Sequence, residues 1–314
     1  MAEPLISVAI PTYNRAAKLT RAVESVLAQT HAHLELVISD NASVDETEAI
    51  CRSLLERDAR VTYLRSPVNR GPTANFNTLF AELAGEYVLL LSDDDWLERD
   101  YLSCCLAELQ RRPELVLVCG RASYVKDGHA FKRGVDMQLL QQSPSERVLE
   151  YLANVDENGV FYGLMARTVL SRAAPLRNVL GNDWLFAAAI AFQGKLATIG
   201  ESAVNRELGG TSADFQRLAA TLGLPAWQAR VPHLVIAWQT FKDVCWRAPV
   251  YRELAAPRRL ALALLGAWTV ISWRSLAWHL TLPAFAAIGA RRRGRWLWRA
   301  YDRLTRLLGA GHSA

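Results

Sequence analysis

The sequence has little of what marks several common protein classes. Five cysteines occur in 314 residues, at Cys51, Cys104, Cys105, Cys119 and Cys245. The count is odd and no spacing is that of a metal site, which argues against a disulfide framework and a zinc module. Most lie within apolar runs, as buried thiols of a reducing compartment do. No basic segment precedes an apolar core at Met1–Pro4, which leads straight into a strand-like run. No secretory leader is therefore read, and the catalytic part is expected in the cytosol. Internal repeats and low-complexity tracts are absent. Apolar residues make up 51% and charged residues 21%, which suits a packed core rather than disorder.

Charge of one sign is nearly missing from the C-terminal end. From Arg258 onward there are ten Arg, no Lys and one acid, Asp302, a net +9 that leaves the preceding residues at −4 of the overall +5. The same end holds five of the ten tryptophans: Trp268, Trp273, Trp278, Trp296 and Trp298. Leu260–Trp273 is a run of fourteen uncharged residues, and Ser275–Ala290 is one of sixteen without a fixed charge. Neither reaches the ~20 residues that span a bilayer, so a re-entrant or interfacial hairpin is expected. The basic stretch Arg291–Arg299 then continues as an amphipathic helix to Leu308. Arg and Trp at headgroup level suit an anionic membrane surface. Nucleic acid fits worse, because long uncharged runs add nothing to phosphate binding. The other reading is a helical subdomain packed on the rest of the chain.

The first 120 residues alternate between strand and helix periods. Strands are read at Leu5–Ile10, Leu34–Ser39, Val61–Leu64, Tyr87–Leu91 and Leu115–Cys119. Between them run helices with Leu19, Val23, Val26 and Leu27 on one face, then Ile50, Leu54 and Leu55, then Ala74–Leu83 and Asp100–Arg111. Ser43 and Glu46 form a capping-box pattern before the second helix. Such alternation predicts a mostly parallel, Rossmann-like sheet covered by helices on both faces. Residues 121–215 are less regular, with helices near Pro144–Leu152 and Asp183–Phe192 and a strand near Val160–Ala166. Residues 216–257 look helical and read as a connector to the 258–314 extension. Ligands of such sheets bind beyond the carboxyl ends of the strands. Those ends are Pro11–Arg15, Asp40–Ser43, Asn69–Ala74 and Ser92–Trp96.

The sharpest local signal is Ser92-Asp93-Asp94-Asp95, delivered to a sheet edge by Tyr87–Leu91. Three adjacent carboxylates repel one another, and a hard cation such as Mg²⁺ or Mn²⁺ would relieve them. A solvated turn that starts a helix is the other reading.

Five motifs in order resemble family 2 inverting glycosyltransferases. They are Val8-Ala9-Ile10-Pro11-Thr12-Tyr13-Asn14-Arg15, Ser25–Thr30, Glu35–Asp45, Asn69-Arg70-Gly71-Pro72 and Ala84–Asp95, and the likeness runs over roughly residues 4–212. The resemblance implies a GT-A fold over residues 1–215, with the rest a helical C-terminal extension. It implies a nucleotide-sugar donor, with a UDP- or dTDP-sugar favoured. Pro11, Tyr13 and Asp40 would surround base and ribose, and Arg15, Asn69 and Gly71 would face the nucleotide. Asp93 would touch the ribose, with Asp94 and Asp95 at a divalent Mn or Mg ion. Asp183, in Gly181-Asn182-Asp183-Trp184, resembles the catalytic base, although Asn182 stands where relatives often carry Glu. A helix cap is the alternative role for Asp183. Arg206, opening Arg206–Ser212, resembles the residue that steadies the leaving diphosphate, and a turn Arg is its alternative. Leu208 stands where many relatives have His. The acceptor would be a glycan or lipid-linked glycan, at the cytoplasmic side of the cell membrane. Two competitors are a non-catalytic nucleotide- or glycan-binding relative and a sugar nucleotidyltransferase, though Pro11–Arg15 lacks the Gly-rich loop of the latter.

Overall fold

A computed structural model describes residues 3–308, apart from 127, 156–157, 210–213 and 281–289. Side chains between 272 and 298 also lie outside the described part, so Trp273, Trp278, Trp296, Trp298 and the Arg291–Arg295 cluster are not placed.

The expected alternation opens the chain. The elements run β1 (Ile6–Thr12), α1 (Ala16–Leu27), β2 (Leu34–Asp40), α2 (Thr47–Arg57), β3 (Val61–Arg65), α3 (Pro72–Glu82), β4 (Tyr87–Leu90), β5 (Trp96–Leu97) and α4 (Tyr101–Arg111). Next come β6 (Leu115–Lys126), β7 (His129–Arg133), β8 (Gln138–Leu139), α5 (Pro144–Asn154), β9 (Leu164–Ala166), α6 (Arg167–Ala173) and α7 (Asn182–Gln193). The last are β10 (Lys195–Glu207), α8 (Phe215–Thr221), α9 (Pro232–Lys242), α10 (Ala256–Leu280) and α11 (Ala290–Leu307). The central sheet runs β3-β2-β1-β4-β9-β6-β10-β5. β1 pairs in parallel with β2 and β4, and β2 with β3, so their carboxyl ends open on one edge. Antiparallel β9 is wedged between β4 and β6.

Each face of the sheet has its own apolar cluster, because strands covered on both sides must be apolar on both sides. Ile6, Val8 and Ile10 face α1 and α4, while Ala9, Val88 and Leu90 face a cluster with α5 and α7. α7 is buried all round from Trp184 to Phe192, as a helix without a polar face must be.

Three expectations are corrected. Ser43 and Glu46 do not make a capping box: α2 begins at Thr47, and Ser43 Oγ instead accepts from the Asn14 amide at 2.9 Å. α2 turns Thr47 and Cys51 to the core with Leu54 packed beside them, while Leu55 of the expected Ile50–Leu54–Leu55 face is exposed. The expected strand near Val160–Ala166 is instead a 3-10 helix at Gly159–Tyr162, with only Leu164–Ala166 as strand. The irregular region also conceals a long strand, β10, broken by a bulge between Ile199 and Ala203.

The described part of the extension is built into the fold. α10 buries Ala261, Leu262, Ala263 and Val270 in the α5–α7 cluster. α11 packs on α5, where Ser145 Oγ donates to Tyr301 Oη at 3.1 Å. Among the described residues no helix is long and apolar enough to cross a membrane. The described parts of α10 and α11 are thus packed against the rest of the fold. Leu262 is fully buried, so Leu262→Ala is expected to cost about 2–5 kcal/mol by urea unfolding. A change below roughly 0.5 kcal/mol, as for an exposed residue, would show the helix to be separable.

Candidate active site

The polar loops at the carboxyl ends of β1, β2 and β4 enclose a cleft of about 620 Å³, within the size range of ligand sites. Its walls include Pro11, Tyr13, Arg15, Asn69, Gly71 and Arg206, with Asp93, Asp94 and Asp95 among them. Sequence and structure thus bring nine expected residues to one place.

Two loops are fastened to each other first. Asn14 and Ala42 both have positive φ, of 52° and 65°. Such backbone is costly outside glycine and needs support from its surroundings. Here the Val44 amide donates to Asn14 Oδ1 at 2.8 Å, and the Asn14 amide to Ser43 Oγ. Asp40 serves the same purpose rather than reaching the cleft. Its carboxylate is fully buried, accepts from the Ser43 amide (2.8 Å) and Tyr63 Oη (2.7 Å), and lies 3.4 Å from Arg65 Nε. The neighbouring Asn41 takes the place on the wall, donating to Asn69 Oδ1 at 2.7 Å. Gly71, at φ +83°, caps α3, and Pro72 then pre-sets the first helical residue.

The carboxylates are compensated by cations from opposite ends of the chain. Arg15 Nη1 meets Asp94 at 2.7 Å, and Arg206 Nε lies 3.7 Å from Asp95. Asp93 accepts from Thr12 Oγ1 at 2.8 Å, and Asp95 from the Glu207 amide at 2.9 Å. Burial, together with the charge of Asp94, pushes Asp93 from 3.8 up to about 7 and Asp95 up to about 6. Arg206 is not in a turn. It ends β10, donates to Tyr124 Oη at 2.9 Å and stands over the Tyr162 ring, 4.8 Å from its centroid. Its Nε is buried and has no hydrogen-bond partner among the described residues. Residues 210–212 of the motif lie outside the described residues.

Asp183 is not the cap of α7. That position is Gly181, at φ +73°, and a Cβ there would sit 2.9 Å from the Ile236 side chain on α9. Asp183 lies in the first turn and accepts from Asn158 Nδ2 at 3.1 Å. Tyr151 Oη donates to Asn158 Oδ1 at 3.0 Å, which fixes the amide's orientation. Burial raises the Asp183 pKa, opposed by Asn158, by first-turn amides and by the charge of Arg206. Asp183 is thus near Arg206 but is not part of the cleft wall described above. Thr12, Asn41, Tyr124, Asn158 and Tyr162 were not singled out from the sequence. The last three come from the irregular 121–215 stretch, where no local pattern marks them.

Hard oxygen donors at a cleft wall suit a divalent cation. Mg²⁺ in particular takes one or two carboxylates together with phosphate oxygens and water, so Asp94 and Asp95 fit without a third protein ligand. Among the described residues no group of three His, Cys, Asp or Glu is placed to hold a metal.

Residues 7–172 match the family model described as Glycosyl transferase family 2. The chain belongs to this family. A putative colanic acid biosynthesis glycosyl transferase of Escherichia coli K12 is 32% identical over 158 residues, or 50% of this chain and 56% of that one. The GalNAc(5)-diNAcBac-PP-undecaprenol beta-1,3-glucosyltransferase of Campylobacter jejuni is 28% identical over 57% of each chain. An uncharacterised glycosyltransferase of Nostoc is 30% identical over 69% of this chain and 68% of its own. The chain thus spans little more than half the length of the first two. Among solved structures, Staphylococcus aureus TarS 1-349 superposes at a TM-score of 0.59, with 15% identity over 96% of this chain and 89% of that one. A Pyrobaculum calidifontis mannosyltransferase, in complex with GDP-Man and Mn²⁺, gives 0.53 with 22% identity over 99% and 85%. The fold of this family 2 member is GT-A, with a helical C-terminal part.

Titration of Asp93 and Asp95 has a stability consequence. Their folded pKa values lie above the ordinary 3.8, so the folded state holds more protons than the unfolded one between pH ~4 and ~7. Stability should therefore fall as pH rises through that window. Asp93→Asn should flatten the fall and raise the unfolding free energy at pH 8 in metal-free buffer by roughly 1 kcal/mol or more, read by urea titration. Equal pH dependence in variant and wild type would contradict the burial of that charge.

Proposed function

We propose that this chain is an inverting glycosyltransferase that moves a sugar from a nucleoside-diphosphate donor to a glycan hydroxyl in polysaccharide synthesis. The observation that carries the reading is the Asp93–Asp95 triad at the cleft, faced by Arg15 and Arg206. Such a site holds a diphosphate by its arginines while the carboxylates stay available to a cation. One relative is named as a putative glycosyl transferase of colanic acid biosynthesis, and another as a glucosyltransferase acting on GalNAc(5)-diNAcBac-PP-undecaprenol.

The residues divide by chemistry. Tyr13 is 43% exposed beside Pro11 and Asn41, a surface for base and ribose. A UDP- or dTDP-sugar is the favoured donor. Asp94 and Asp95 would hold Mn²⁺ or Mg²⁺, which when bound supplies positive charge to the departing diphosphate. Arg206 adds a second charge there. Asp183 takes the proton of the acceptor hydroxyl as that oxygen attacks the anomeric carbon. The bond from that carbon to the diphosphate oxygen breaks with its electron pair, and the configuration inverts. One carboxylate suffices for this, unlike the pair needed in hydrolysis. Asn158 orients Asp183 and stabilises its charged form.

The acceptor in this proposal is lipid-linked and presented at the cytoplasmic side of the cell membrane. The chain would associate there peripherally or monotopically through residues 258–314, whose net +9 suits an anionic leaflet.

Donor identity is read by thermal shift over a panel of nucleotide sugars, since a ligand of the folded state raises the melting temperature. Asp183→Asn should keep that shift and lose about 10²–10⁴-fold in transfer. Near-normal turnover would place the base elsewhere. Asn158→Ala should move the acidic limb of the pH–rate profile to higher pH, because the charged form of Asp183 loses a donor. EDTA should abolish transfer, and Asp94→Ala and Asp95→Ala should each remove most of it. Full activity in EDTA would remove the metal from the scheme.

A further inference from the structure

Outside the cleft the most unusual surface is aromatic. Trp227, Trp238, Trp246 and Trp268 are 58%, 54%, 61% and 54% exposed. Leu234 and Leu264, at 50% and 44%, add to it. Single exposed apolar residues are ordinary, but a contiguous patch of large ones marks an interaction surface.

Ring contacts join two of these tryptophans. Phe241 stacks on Trp238 with centroids 5.7 Å apart and meets Trp246 edge-on at 5.5 Å. A π-helical turn at Asp243–Arg247 follows α9 and leaves Trp246 on the outside, while Asp243 is buried and paired with Arg177 at 2.9 Å. α10 packs on both α9 and that turn. Leu260, Leu264 and Trp268 recur every fourth residue along its outer side, while Ala261, Leu262 and Ala263 face the core.

The charge around the patch selects its partner. Between 226 and 271 lie Arg230, Lys242, Arg247, Arg252, Arg258 and Arg259, against Asp243 and Glu253. Asp243 is buried and the exposed Glu253 is paired with Arg172, so the uncompensated charge of this segment is positive. Lys242 Nζ stands 5.3 Å from the Trp238 ring centroid. Tryptophan rings bordered by Lys and Arg match the headgroup region of an anionic bilayer, whose apolar edge takes the indole and whose phosphates take the cations.

We propose that α9, the Asp243–Arg247 turn and the outer side of α10 form a membrane-docking face that lies flat on anionic lipid. The inference rests on the membrane reading above but assigns the contact to a rigid face beside the catalytic domain, not to the basic C-terminal helix alone. The face also lies near the cleft. α8 lines the cleft through Leu218 and Thr221 and packs on the 226–230 turn that carries Trp227. A sugar acceptor anchored in the lipid would then meet the cleft from its docked side.

The test is flotation of the full chain with phosphatidylcholine vesicles, with and without phosphatidylglycerol. Wild type should float with the anionic vesicles. Trp238→Ser/Trp246→Ser should weaken that partitioning by roughly ten-fold or more, since two indoles leave the interface. Phe131→Ser, an exposed residue on β7, should change nothing. Leu264→Ser/Trp268→Ser provides a second variant pair should the first perturb folding, with circular dichroism and nucleotide-induced thermal shift as the checks. Wild type and both variant pairs floating equally would overturn the docking face and leave the membrane reading intact. Wild type that fails to float would overturn both. Wild type that self-associates without lipid, and becomes monomeric on Trp238→Ser/Trp246→Ser, would make this face a contact between copies.

Discussion

Three consecutive carboxylates at the end of a buried strand cannot stand without positive charge, and the arrangement of this site follows from that need. Asp93 and Asp95 are almost wholly removed from water, where an isolated carboxylate would simply stay protonated. The chain answers with Arg15, just before α1, and Arg206, at the end of the last strand. Neither arginine is near the triad in sequence. β1 and β4 must pair in parallel to bring Arg15 to Asp94, and β10 must run alongside β6 to bring Arg206 to Asp95. The compensation is incomplete, since Asp93 and Asp95 remain pushed up to about 7 and about 6. Further positive charge beside the triad would relieve what remains.

The second organising element is α7. Its buried length ties the sheet to α5, α9 and α10, and its first turn carries Asp183. Gly181 allows α9 to approach closely through Ile236, so the position of Asp183 depends on helices that the opening α/β pattern does not include. The same α9 turns its other side outward with Trp238. The position of Asp183 and the proposed docking face thus rest on one helical layer, which would hold such a contact at a fixed distance from the cleft.

What the sequence by itself determined was local in origin. Apolar runs of four to seven residues between amphipathic helices specify the parallel half-sheet, since only doubly covered strands tolerate apolar residues on both faces. The carboxyl-end rule then located the cleft, and Pro11, Tyr13, Arg15, Asn69, Gly71 and Asp93–Asp95 do line it. Tertiary structure decided the rest, because the deciding contacts join residues far apart in the chain. Ser43 has the pattern of a helix cap, yet the loop after β1 competes for its hydroxyl and wins through Asn14. Asp40 stands at a strand end like the triad, but Tyr63 and Arg65 on the neighbouring strand turn it into a buried brace. Tyr124, Asn158 and Tyr162 carry no local signature, and their part in the site comes from Arg206 and Asp183 folding against them. The apolar run at 260–273 was ambiguous for the same reason. Composition alone cannot distinguish a side chain buried by protein from one left for lipid, and only the packing on α5 and α9 divides α10 into an inner side at Leu262 and an outer side at Leu264.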